Sequence, residues 1–180
     1  MIKFNLYFNK GTLTFGLFFL LVFSPNLFYY EFHDDDASYV SHAFTLGLDG
    51  DLDYNNEPAN QFSKNGLMPR HPIGSGIFAA PFVAIFSVIE RIIDHPIIVD
   101  HNNYLGSWSL FGFVFSVNFL FLLAIFLYIK SFRLLKILNK ELWLIILIVF
   151  SSTIPHFILR RYFFSHGFEF FSISLLFWSI

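Results

Sequence analysis

Residues 107–129 read SWSLFGFVFSVNFLFLLAIFLYI, and residues 130–140 continue as KSFRLLKILNK. The first stretch carries no charge, and about 20 apolar residues in a helix are enough to cross the hydrocarbon of a bilayer. The second sets Lys130, Arg133, Lys136 and Lys140 against its end, the basic flank expected on the cytoplasmic side. A charge-free span closed by a basic cluster predicts an all-α, polytopic transmembrane helical protein. Composition points the same way. The 180 residues are 56% hydrophobic and 13% charged, whereas about a quarter of a soluble domain is charged. No basic patch suggests a nucleic-acid partner. The lack of cysteine rules out disulfides, thiol catalysis and Cys-ligated metal.

Working outward, residues 11–30 form an apolar block preceded by Lys3 and Lys10. Bulky residues (Leu27, Phe28, Tyr29, Tyr30) follow Ser24-Pro25 where a cleavage site would need small ones, so the block reads as an uncleaved anchor with a cytoplasmic amino terminus. Residues 142–159 form another span, ending at Arg160 and Arg161, and a further one starts at about 168–180. That last run has no closing polar flank. The expectation is a single transmembrane domain over 1–180, the front part of a longer one or a truncated reading frame.

Residues 71–93, HPIGSGIFAAPFVAIFSVIERII, are apolar but diluted by Gly, Ser and Pro81. Residues 94–106 contain neither Lys nor Arg, a poor cytoplasmic loop. If the first helix runs outward and 130–140 is cytoplasmic, an even number of spans lies between. Residues 71–93 are then juxtamembrane or re-entrant, and 31–106 form a long extracytoplasmic loop with juxtamembrane helices.

That loop is acidic. Of 13 acidic residues in the chain, Glu31, Asp34, Asp35, Asp36, Asp49, Asp51, Asp53 and Glu57 lie within it. Residues 37–48 have helical spacing, with Ala37, Val40, Phe44 and Leu48 on one stripe and Asp35, Tyr39, His42 and Leu46 on its neighbour. One aspartate ahead of this helix suffices as a cap; three adjacent ones repel, which leaves at least one for another role. Asp49-Gly50-Asp51-Leu52-Asp53 has the alternation of a calcium loop, but Tyr54 stands at its required glycine and Asn60 at its twelfth position. It reads as a structural turn.

In order, the chain has a first helix, Asp35-Asp36-Ala37-Ser38-Tyr39, Gly50-Asp51-Leu52, His71-Pro72-Ile73-Gly74 leading to Ala80-Pro81-Phe82, and later Ser165-His166. Over residues 11–180 this resembles the amino-terminal part of bacterial GT-C-type glycosyltransferases, integral-membrane relatives of protein O-mannosyltransferases and aminoarabinose transferases. The resemblance implies a polyprenyl-phosphate sugar donor, transfer with inversion, and an acidic residue of the first outer loop as catalytic base or metal ligand. It also implies residence in a bacterial plasma membrane. The family's commoner Asp-Glu pair is Asp-Asp here, preceded by a third Asp, so the catalytic acid is Asp35 or Asp36.

The chemistry also follows from the residues. An acceptor hydroxyl attacking an anomeric carbon sheds a proton, and a carboxylate within hydrogen-bond reach takes it. The leaving lipid phosphate needs a cation, whether Arg, Lys or a divalent metal. The stripe shared with Tyr39 and His42 favours Asp35 as base, while Asp36 aligns with Val40 and Ala43 on the packing side. Arg160, Arg161, Arg70, His71 and His42 are the candidates for holding substrate. The plainer reading of Arg160 and Arg161 is as arginines at a helix end reaching lipid headgroups. No cofactor is demanded by any residue set, no metal ligands are assigned, and the partners are membrane lipid and the lipid-linked sugar. The rival reading is a transporter-like membrane protein, which would carry ionisable groups inside its spans. Residues 107–129 offer only serines and Asn118 there.

Overall fold

The computed structural model describes residues 34–55, 68–93, 108–135, 151 and 165–180. The expected spans 11–30 and 142–159 lie outside the described residues, apart from the helical Ser151, as do Arg160 and Arg161. Regular structure is helical throughout, with no strand among the described residues. Helix α1 (Asp34–Phe44) runs into one π-helical turn (Thr45–Asp49) and is followed by α2 (Gly74–Ile92), α3 (Trp108–Leu134) and α4 (His166–Ser179). Two of them, α2 and the Trp108–Phe132 portion of α3, are long and apolar enough to cross a membrane.

Helix α1 starts three residues earlier than the spacing of 37–48 suggests. Asp34, Asp35 and Asp36 therefore belong to its first turn instead of preceding it as a cap. The physical reason is that carboxylates in a first turn meet free N–H groups and the positive end of the helix dipole. The helix closes through the π-helical turn. Gly50 adopts φ 76° and returns its N–H to the Thr45 carbonyl at 3.0 Å, a left-handed conformation that glycine enters without steric cost.

Helices α1 and α2 run parallel, because Tyr39 meets His71, His42 meets Gly76, and Gly47 meets Ala80 and Val83. Glycine is required at both crossings. A Cβ on Gly76 would collide with the His42 Cβ, and one on Gly47 would come within 2.7 Å of the Ala80 carbonyl. Helix α3 is antiparallel to α2. Glu90 pairs with Ser109, Phe86 with Trp108, Phe111 and Phe115, and Phe82 with Phe115 and Phe119. Helix α4 then runs parallel to α3, with Phe168 on Phe113, Phe170 on Phe121, Phe177 on Tyr128 and Phe132, and Trp178 under the Lys130 ammonium.

Along α2 the outward-facing stripe is apolar. Ile77, Pro81, Ile85, Val88 and Ile92 recur every three or four residues and all face outward, with Ile92 77% exposed. The opposite stripe (Gly76, Ala80, Val83, Ser87, Glu90) is buried, Glu90 to 2%. A helix in water would show the reverse pattern. Small residues on the inner stripe let backbones approach closely, as helices do in lipid where apolar burial supplies no drive between them. Pro81 sits on the outer stripe, where its ring points away from the neighbouring helices.

Candidate active site

The first turn of α1 and the segment just before α2 meet at Asp35 and His71. Asp35 Oδ1 stands 3.3 Å from His71 Nε2, and both side chains are partly open, 48% and 33% exposed respectively. The Tyr39 ring, one turn along α1, lies against the imidazole with centroids 5.3 Å apart. His71 Nδ1 is buried with no hydrogen-bond partner among the described residues. The nitrogen that faces outward is therefore the one next to the carboxylate. Asp36 points the other way and is 2% exposed, on the same buried face as Val40 and Ala43. Of the two candidate acids, only Asp35 is open to a substrate.

His42 is fully buried and both its ring nitrogens are engaged. Nε2 lies 2.9 Å from the His71 carbonyl, which only accepts, so Nε2 carries the proton and donates. In the neutral ring Nδ1 then accepts from the Tyr54 hydroxyl at 2.6 Å. Burial pushes the His42 pKa below its ordinary value; the bond to the His71 carbonyl works against that shift, and the charge of His71 adds to it. As a substrate-binding candidate His42 has no free nitrogen to offer; its place is behind the site. Arg70 is exposed beside His71, open to an anionic group. Arg160 and Arg161 lie outside the described residues.

The acidic turn spends its carboxylates locally. Asp51 Oδ1 accepts from the Asp53 N–H at 2.9 Å and from the Thr45 hydroxyl at 3.2 Å, and Asp53 Oδ1 accepts from the Asn55 N–H and amide. The bonds to the Asp53 and Asn55 N–H groups are the side-chain-to-backbone closures typical of aspartate turns. Asp49 is raised above its ordinary pKa, by burial first and by the neighbouring Asp51 second. Among the described residues no three His, Asp or Glu side chains converge as metal ligands.

Two further polar clusters went unassigned in the sequence. Glu90 Oε2 accepts from both the Ser109 N–H at 3.1 Å and the Ser109 hydroxyl at 2.7 Å, so a residue of α2 caps the free amino end of α3 from outside. The signal for it was present: Glu90 lies on the stripe of Val83 and Ser87 in an otherwise apolar block. At the start of α4, Glu169 gathers Ser165 and His166, with His166 Nδ1 3.0 Å away.

These features define a helical protein with a polar cluster held against apolar, membrane-length helices. Comparison with protein-family models, curated proteins and solved structures returns no match.

Proposed function

We propose that this chain belongs to a membrane glycosyltransferase that moves a sugar from a polyprenyl-phosphate donor to an acceptor hydroxyl, with inversion, at the outer face of a bacterial plasma membrane. Asp35 is the base. It takes the proton of the acceptor hydroxyl as the oxygen bonds to the anomeric carbon, and the lipid phosphate departs with the electrons of the broken C–O bond. Arg70 and His71 hold the phosphate charge, joined by Arg160 and Arg161 from the next outer loop.

The observation that carries this reading is the partly exposed Asp35 carboxylate facing His71, while its neighbour Asp36 is buried and Asp51 and Asp53 bond within the acidic turn. The transporter reading is weakened by the polar groups within α3. Ser116, Asn118 and Ser131 bond to carbonyls of their own helix, and Ser109 to Glu90.

The test is transfer of radiolabelled sugar from a panel of polyprenyl-phosphate hexoses and pentoses by membranes containing the full-length protein. Asp35→Asn lowers the rate by about 10²-fold, the usual loss for a general base, and Asp34→Asn leaves it nearly unchanged. Full activity of Asp35→Asn, or no transfer from any member of the panel by the native protein, would sink the proposal.

A further inference from the structure

We infer that His42 and Tyr54 are positioning residues for the Asp35–His71 pair, gripping the backbone of His71 through one buried imidazole and so tying the acidic turn to the active carboxylate. The inference rests on the reading of Asp35 as base; its geometry stands apart from that reading. Three segments meet at the ring: α1 supplies the imidazole, the turn after it supplies Tyr54, and the stretch before α2 supplies the His71 carbonyl.

That carbonyl has no role in the helix. The first carbonyl taken up by the ladder of α2 is Ile73, which accepts from Ile77. Residue 71 thus sits ahead of regular structure, followed by a proline with no N–H to share. What fixes it is the His42 bond at 2.9 Å on its backbone and the Tyr39 ring on its side chain. The depth of the imidazole is fixed in turn by Gly76, whose bare backbone lies against the His42 Cβ. Tyr54 completes the clasp: it is 4% exposed, and its hydroxyl stops the ring from turning and offering Nδ1 to the carbonyl.

A neutral ring is the form that this arrangement uses, with one nitrogen donating and the other accepting. The titratable groups facing it are Tyr54 from the turn and His71 from the segment before α2, whereas α2 itself presents Gly76. Burial disfavours the charged ring. In the unfolded chain His42 takes up a proton near pH 6.5. The folded value is lower, so this contribution to stability is complete above 6.5 and is lost as pH falls through the folded value.

The experiment uses the full chain in detergent micelles with ¹⁵N-labelled histidine, His42 being assigned by loss of its signals in His42→Gln. Well above pH 6.5 the native His42 is neutral with the proton on Nε2, at pH 6.5 it is less than half protonated, and Tyr54→Phe shifts the signals of both His42 and His71. In the transfer assay Tyr54→Phe lowers turnover by about tenfold, the scale of a small misplacement of reacting groups, and leaves the KM for the lipid-linked sugar unchanged. His42→Gln keeps a donor and an acceptor and retains more turnover than His42→Leu. A His42 half-protonated at pH 6.5, His71 signals indifferent to Tyr54→Phe, or a loss confined to KM would each overturn the inference. Silence of Asp35→Asn would remove the base assignment instead, and the two histidine signals would still decide the clasp.

Discussion

Around His42 each polar group has a single partner in the clasp, whereas along the seam between α3 and α4 the rings share partners. Phe170 meets both Phe121 and Tyr128, and Phe177 meets both Tyr128 and Phe132. A ring lost from the seam leaves its neighbour with another contact. Loss of the Tyr54 hydroxyl takes from the buried His42 Nδ1 the partner it has in the clasp, and that penalty exceeds what the bond itself contributes. The seam therefore holds the helices together redundantly, while the cluster at the start of α2 fixes one geometry.

This contrast is broken most severely at Gly76. A side chain there meets the His42 Cβ and then the backbone of His42 and Ala43 at 2.8 and 3.0 Å, atoms that cannot yield as a flexible side chain would. Gly76→Leu should cost about 3 kcal/mol or more, read as a lower midpoint of thermal unfolding in detergent and early proteolysis of α1. Glu90→Leu comes next. It strips two donors of Ser109 of their acceptor and should cost about 1–3 kcal/mol, with Glu90→Gln losing less because an acceptor oxygen remains. Phe119→Leu should be the mildest, below about 1 kcal/mol. Phe119 is 43% exposed on the outer side of α3, and its rings of contact, Phe82 and Phe115, touch each other as well. A Phe119 loss equal to that of Gly76 would erase the distinction between shared ring contacts and the close fit of the cluster.

The local part of this arrangement was legible in the sequence. Helical spacing separated Asp36 from Asp35, and the two faces differ in exposure as that spacing implies. The residues of the acidic turn form a turn, closed by Gly50 and by their own carboxylates. Long-range pairing was not legible. His42 reaches Tyr54 and His71 across separations of 12 and 29 residues, and no periodicity links a helix stripe to a tyrosine beyond a turn. That is why His42 stood among the substrate candidates although the plainer reading, a histidine with both nitrogens satisfied, is the one its bonds fit. Glu90 was a different case. Its position on the inner stripe was readable, but its acceptor role depends on the antiparallel register of α2 and α3, which hydrophobic patterning leaves open.

The central claim is that Asp35 and His71 act together, and a double-mutant cycle on sugar transfer tests it most directly. Asp35→Asn alone should cost about 10²-fold and His71→Gln alone about tenfold, because the second removes the group that faces the carboxylate. If the pair is one unit, the double variant loses no more than Asp35→Asn by itself, as for residues that share one interaction. Losses that multiply to about 10³-fold would show two independent residues and contradict the account.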